Sequence, residues 1–378
     1  MRQPAVLVLS LFLFAACNTT VDTTNYAAPD RSNDFRLAGK NITHDTLFYF
    51  EDIIWGFTFL PDQSVLATVK DGRLLHLTGG DVMTSVSGVP QVYDNGQGGL
   101  LDVSLHPDYP EENWIYLTYS DPEGEGDGGN TTLARARLVE DRLEDFEKLY
   151  QGSPNTSKPY HFGSRIAWKD GQVYFGIGDR GDRDINPQDT TRDGGKIYRL
   201  NADGSIPADN PFVGVAGARE AIYSYGHRNP QGLATNPFTN EVWEHEHGPR
   251  GGDEINIIEA GKNYGWPVIT YGINYSGTQI TDQVSKPGME QPLHYWVPSI
   301  APSGMAFVTG EQYGGWEGDL LVGSLKFAYL KHVMLDEGKV VGEEKLLDGL
   351  GRLRDVRMGP DGYAYASVEG TGLVRLLP

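Results

Sequence analysis

The residues best suited to chemistry lie in the run His247-Gly248-Pro249-Arg250-Gly251-Gly252-Asp253-Glu254 and in Gly261-Lys262-Asn263-Tyr264-Gly265-Trp266-Pro267 just beyond it. Glycine and proline packed together give up backbone donors and cost conformational entropy, so neither run is helix interior or central strand. Such a loop can present bare carbonyl oxygens to a small partner. The acids beside it are oxygen ligands for a hard cation such as Ca²⁺. An ordinary tight loop with a helix cap would use the same residue types. The rest of the chain has to decide between the two.

A second set is basic and amidic. Gln97 precedes Gly98-Gly99-Leu100, Arg228-Asn229 precede Pro230-Gln231-Gly232, Lys326 follows Leu325, and Arg352 and Arg354 bracket Leu353. The whole chain carries a net charge of −20, which argues against nucleic acid or an anionic membrane surface as a partner. Basic residues gathered in such a chain need a local reason. A small polyanionic ligand would supply one, whereas a structural ion pair is the plainer use of any single arginine. His161, ahead of Phe162-Gly163-Ser164-Arg165, is the uncharged general-base candidate of the set. Asp179, in Gly178-Asp179-Arg180-Gly181, is placed to orient its ring and raise its basicity.

The elements that must position these residues repeat along the chain. An apolar strand runs into a Pro-Asp or similar turn at Gly56–Asp62, Leu101–Asp108, Arg165–Gly171, Gly232–Pro237, Gly304–Val308 and Asp355–Gly362. A further strand-like run follows most of these, as at Trp114–Tyr119 or Gln172–Ile177. No long stretch has helical periodicity. With 48 glycines and 11% aromatic residues, the composition is that of a turn-rich β protein. Six units at intervals of roughly 45 to 75 residues predict an all-β, six-bladed β-propeller with unequal loops. A two-sheet sandwich would not repeat one turn six times. In a propeller the first strand of each blade lines the central tunnel, so residues just ahead of it crowd the mouth. Gln97, His161, Arg228, Asn229, Arg352 and Arg354 all precede or open such strands.

The N-terminus stands apart from the repeats. Ala5 to Ala16 form a short apolar run after Arg2, too short to span a bilayer, and it ends in Phe14-Ala15-Ala16-Cys17. That ending resembles the lipobox of bacterial lipoproteins, although a plain secretory peptide with an incidental cysteine would look similar. Cys17 is the one cysteine in the chain, so no intramolecular disulfide is possible. The expected organisation is a signal peptide over 1–17, a polar tether over 18–42 and the propeller over 43–378. A lipid on Cys17 would be the chain's membrane contact. Asn18 in the next position favours the outer membrane, on its periplasmic side.

Taken together, GQGGLLDVSLHPD, HFGSR, GGKIYRLNADGSIPADNPF, IYSYGHRNPQGLA, EHGPRGGDEIN, GKNYGWP and GRLRDVRMGPDGY resemble the soluble quinoprotein glucose and aldose sugar dehydrogenases. The resemblance runs from about Gly56 to Leu376. It implies that pyrroloquinoline quinone lies flat on the tunnel mouth, its carboxylates held by Lys326, Arg228, Asn229, Arg352 and Arg354, with Gln97 in contact. It also implies a Ca²⁺ on the Gly248 and Pro249 carbonyls, and a second Ca²⁺ on Glu254 and the backbone of Tyr264. His161 would take the hydroxyl proton at C1 of an aldose while hydride passes to the quinone, giving a lactone, with an unnamed acceptor reoxidising the cofactor. Ser164 stands where family members commonly have a second glycine, a change expected to matter little. The acidic loop after Asp179 departs from the pattern and leaves its substrate contacts open. The rival readings are a calcium-dependent propeller lactonase, which holds its cation on acidic side chains in the tunnel, and a non-catalytic binding propeller.

Overall fold

The computed structural model describes residues 42–79 and 82–378. The expected signal peptide, lipobox Cys17 and the tether up to residue 41 lie outside the described residues. Among the described residues no helix is long and apolar enough to cross a membrane.

The strands form six four-stranded antiparallel sheets. The first strand, β1 (Thr43–Phe48), is held back for the last of them. Blade 1 contains β2 (Ile54–Phe59), β3 (Val65–Val69), β4 (Leu74–Thr78) and β5 (Val82–Val86). Blade 2 contains β6 (Leu100–Leu105), β7 (Trp114–Asp121), β8 (Asn130–Val139) and β9 (Arg142–Gln151). Blade 3 is β10 (Ile166–Lys169), β11 (Gln172–Ile177), β12 (Lys196–Asn201) and β13 (Ile222–Tyr225). Blade 4 is β14 (Pro230–Thr235), β15 (Val242–Glu246), β16 (Asp253–Ile258) and β17 (His294–Trp296). Blade 5 follows with β18 (Pro302–Phe307), β19 (Leu320–Ser324), β20 (Tyr329–Asp336) and β21 (Lys339–Leu346). Blade 6 has β22 (Leu353–Met358), β23 (Ala364–Val368) and β24 (Gly372–Leu377), and its outer strand is β1. The pairing of Thr43 with Leu377 thus closes the ring with the chain's two ends.

Each repeat unit read from the sequence falls on an innermost strand. The strands β2, β6, β10, β14, β18 and β22 touch one another in sequence around the axis, and β22 returns to β2. The chain is therefore a six-bladed β-propeller, as the repeat predicted. Inner and middle strands are buried on both faces because blades pack face to face; every residue of β3, β7 and β15 is buried. Outer strands such as β9 and β21 are partly exposed and rich in charge, which protects an open sheet edge from pairing with another chain.

An apolar cluster fills each blade interface. Trp114, Tyr116 and Leu133 of blade 2 meet Ile166, Val173 and Phe175 of blade 3, and Trp243 and Ile255 of blade 4 meet Met305 and Phe307 of blade 5. The sixth interface, between the last blade and the first, joins Tyr365 and Leu373 to Phe57 and Val65. Burying these faces is what holds the ring, since each blade alone would leave two apolar faces wet.

The axis itself is polar. Arg165 reaches Asp102 at 3.1 Å and Asp355 at 3.0 Å, and Arg357 reaches the same two carboxylates at 2.6 and 3.0 Å. This square ties blades 2, 3 and 6 across the tunnel. It also explains a glycine in the inner strands: a Cβ on Gly304 would sit 2.4 Å from the Asp355 carboxylate.

Candidate active site

His161 lies in the loop that leads into β10. Its backbone sits at φ 62°, an uncommon conformation for a residue with a side chain. Its N–H donates to Gln97 Oε1 at 2.8 Å, and Arg180, buried over the Phe162 ring at 3.5 Å, donates to the Tyr160 carbonyl beside it. The loop is thus tied down on both sides of the histidine. Its Nδ1 lies 2.6 Å from Asp179 Oδ1. Asp179 also accepts from Gly181 N at 2.7 Å and, through Oδ2, from Trp266 Nε1 at 2.9 Å. Burial would push this carboxyl up, but His161, then the nearby Arg228 and the Gly181 N–H, bring it below the usual carboxylate range. An ionised Asp179 makes Nδ1 the protonated nitrogen, which leaves the Nε2 lone pair to act as a base.

The expectation that Asp179 would raise the basicity of His161 holds only for that one contact. Burial first and the Arg228 charge second outweigh it, so the imidazole lies below its ordinary value. The physical reason is that a shielded ring beside a guanidinium disfavours a second positive charge. At neutral pH His161 is therefore the free base.

The structure gathers only part of the basic set. Lys326, Arg352 and Arg354 line one cavity of about 660 Å³ together with Gln97, His247, Gly248 and Pro249. His161, Asp179, Arg228, Tyr160 and Trp266 line a cavity of about 600 Å³. Gln97 and Pro249 border both, so the two adjoin. Asn229 lies beneath, fully buried, with Oδ1 accepting from Gly163 N and Gln231 Nε2 at 3.3 Å each. Its Nδ2 has no partner. The acidic loop after Asp179 contributes Asp182, Arg183 and Asp184 to the second cavity, where Arg183 bonds Asn274 at 2.7 Å.

Sequence reasoning missed Glu369. Its carboxylate pairs with Arg352 at 2.8 Å and with Arg354 at 2.5 Å, supplying part of the counter-charge that the rim was expected to draw from a ligand. It follows β23 in an unremarkable Val-Glu-Gly and carries no signal. Lys326 makes no ion pair among the described residues; its Nζ lies 4.9 Å from the Phe327 ring centre.

The Gly248-Pro249 shelf is built by Asp253, a second omission. One carboxylate oxygen accepts from Gly248 N and the other from Ala301 N, each at 2.8 Å, so blade 4 is fastened to the start of blade 5. The paired acids of the motif were the available signal, but only Glu254 was singled out. Arg228 Nη1 donates to the carbonyls of His247 and Gly248 at 2.8 and 2.9 Å. A Cβ on Gly248 would lie 2.2 Å from the Gly252 carbonyl, so the shelf requires glycine there. Glu254 and Tyr264 come together at a small cavity behind it, with Glu246 and Thr270. Glu254 is pushed well above the usual carboxylate range, by burial and then by Glu246.

Ser164 is not a neutral exchange for glycine. Its φ is 100°, a region that favours a residue without Cβ, and it is fully buried.

Similarity to known proteins assigns this closed propeller, with its histidine–carboxylate pair beside a cation-lined cavity, to the quinoprotein sugar oxidoreductases. The sequence matches the family model described as Glucose / Sorbosone dehydrogenase over residues 51–375. The chain belongs to this family, among its soluble glucose and aldose sugar dehydrogenases. It is 43% identical over 323 residues to aldose sugar dehydrogenase YliI of Escherichia coli K12, covering 83% of this chain and 86% of that one. A crystal structure of a glucose dehydrogenase superposes with TM-score 0.85 at 43% identity, covering 88% of this chain and 99% of that one. The PQQ-bound aldose sugar dehydrogenase of Streptomyces coelicolor superposes with TM-score 0.73 at 26% identity, covering 93% and 99%.

Proposed function

We propose that the chain oxidises aldose sugars at C1 to lactones with pyrroloquinoline quinone and Ca²⁺. The observation that carries this reading is the adjacency of the two cavities. One is lined by Lys326, Arg352 and Arg354, the other by the His161–Asp179 pair, and Gln97, Pro249 and Tyr275 form the shared border.

The residues present fit both groups. Three cations match a compact polycarboxylate, and the unpartnered Nδ2 of Asn229, buried beneath the cavities, is a spare donor. The Gly248 and Pro249 carbonyls are neutral oxygens suited to a Ca²⁺, and Glu254 with the Tyr264 backbone would take a second. When bound, the quinone accepts the hydride and the Ca²⁺ polarises it.

The chain's own residues do the rest. His161 Nε2, free as a base at neutral pH, takes the proton from the C1 hydroxyl. Asp179 holds the ring in that tautomer and stabilises the imidazolium that forms. Gln97 fixes the backbone of His161, and Trp266, bonded to the far oxygen of Asp179, walls the sugar cavity. The aromatic faces of Tyr160 and Tyr275 also line that cavity and suit the apolar face of a sugar ring.

The lactonase reading loses support at the axis, where the carboxylates of Asp102 and Asp355 are each taken by two arginines. Dye reduction by the protein, with sugar and with or without quinone and Ca²⁺, tests the proposal. Reduction should require both additions. Sugar-independent or quinone-independent turnover, or lactone hydrolysis in its place, would overturn it. At the N-terminus, the lipobox around Cys17 supports attachment to the outer membrane, facing the periplasm.

A further inference from the structure

Behind the mouth, blade 4 contains a second constellation that sugar oxidation does not use. Glu244 and Glu246 are two apart on β15 and therefore face the same side of the strand. His227, from the segment leading into β14, lies against them. The three contribute one ligand atom each within 4.8 Å of one another, the one such trio of His, Cys, Asp or Glu among the described residues. His227 and Glu244 are 0% exposed and Glu246 is 3% exposed. Neither carboxylate pairs with a lysine or arginine among the described residues.

Each side chain spends one heteroatom on a fixed neighbour and leaves the other unspent. His227 Nε2 bonds Ser224 Oγ at 2.8 Å, and its ring stacks on Tyr264 with centres 4.6 Å apart. Glu244 Oε2 accepts from Asn256 Nδ2 at 3.1 Å. Glu246 Oε2 accepts from the backbone N–H of Arg228 and, at 3.1 Å, of Asn229. The atoms left over are His227 Nδ1, Glu244 Oε1 and Glu246 Oε1. His227 Nδ1 and Glu244 Oε1 have no hydrogen-bond partner, and His227 Nδ1 lies 3.6 Å from Glu246 Oε1. Two ligands about 2.1 Å from one tetrahedral ion stand about 3.4 Å apart, so this spacing needs little adjustment.

We propose that His227, Glu244 and Glu246 hold a divalent cation of the Zn²⁺ type, on a ligand set different from those expected on Gly248, Pro249, Glu254 and Tyr264 but beside the last two, whose cavity Glu246 also lines. The Ser224 Oγ contact at Nε2 is the kind of outer contact that orients a metal-binding histidine, and it leaves Nδ1 facing the carboxylates. One imidazole nitrogen and two carboxylate oxygens make a borderline donor set that suits zinc better than calcium, which takes oxygen. Two carboxylates also balance a double positive charge, whereas carboxyl groups buried this deeply with no cation shed their charge by holding a proton. The ion would lock Glu246, which orients the backbone of Arg228 and Asn229 at the mouth.

The test uses the full chain, freed of metal by chelator and titrated with Zn²⁺ alone, so its outcome does not depend on quinone or sugar. Wild type should bind one tight equivalent and melt at a higher temperature with it. Glu254→Gln should keep that equivalent. Glu244→Gln, which preserves shape and the Asn256 contact, should weaken it by at least about a hundredfold, since losing even a group that merely orients a ligand costs about ten- to a hundredfold. If Glu244→Gln does not fold, anomalous scattering at the zinc edge from wild-type crystals grown with Zn²⁺ decides, and a peak between the three side chains is expected. An unaltered zinc titration in Glu244→Gln, or a water alone between the three side chains in those crystals, overturns the proposal.

Discussion

Replacing Asp179 by asparagine tests the base assignment most directly. Three donors converge on this carboxylate: His161 Nδ1–H at 2.6 Å and Gly181 N–H at 2.7 Å on one oxygen, and Trp266 Nε1–H at 2.9 Å on the other. Asparagine can satisfy only one side. With its oxygen toward His161, its NH₂ faces the indole N–H; turned over, it faces the histidine and forces the proton onto Nε2. One orientation loses the charge and a hydrogen bond, and the other also destroys the basic tautomer. At about 1.5–3 kcal/mol for each bond to a charged group, losing one or two raises the barrier by roughly 1.5–6 kcal/mol. That corresponds to about a 10- to 10⁴-fold fall in turnover.

The pH profile separates this from general damage. Asp179 is the strongest influence raising the His161 pKa, against burial and Arg228, which lower it. Without the carboxylate, the imidazolium is less favoured still. The acid limb of kcat should therefore move to lower pH while the plateau drops. Steady-state dye reduction at saturating quinone, followed from acid to neutral pH, measures both. Half-maximal quinone should stay near wild type, because the pair does not line the cavity of Lys326, Arg352 and Arg354. Wild-type turnover with an unmoved acid limb would refute the reasoning.

Arg354→Ala should require about ten to a hundred times more quinone for half-maximal reconstitution, the worth of one charge-assisted contact plus the carboxylate of Glu369 left half-paired; a wild-type midpoint in quinone titration would count against the rim. Ser164→Gly should stabilise the fold by about 1 kcal/mol, because it relieves a positive φ that a buried side chain resists, and chemical denaturation would register an unchanged or lowered midpoint as failure. Labelled fatty acid should appear on the wild-type protein in cells and vanish in Cys17→Ser, whereas equal labelling of both would remove the lipid anchor.

The sequence alone determined the architecture, because six recurrences of strand and turn are local patterns that only a ring of equivalent blades repeats. It also determined the residue types that line the two adjoining cavities, since Gln97, His161, Arg228 and Arg354 each stand at a fixed place relative to an innermost strand. What it could not contain was the partner of each charge. The pairing of Glu369 with Arg352 and Arg354, and of Arg165 with Asp102 and Asp355, joins residues from different strands or different blades. Only closure of the ring by β1 and β24 brings those blades around one axis. The same holds for the base: Asp179 was legible as a neighbour, but its effect on His161 depends on burial and on Arg228, which arrives from the next blade. Ser164 looked harmless because residue type says nothing of φ, and its backbone angle is set by the loop's course between blades 2 and 3. Charge and strain are properties of three-dimensional neighbourhoods, and the tertiary structure alone decides them.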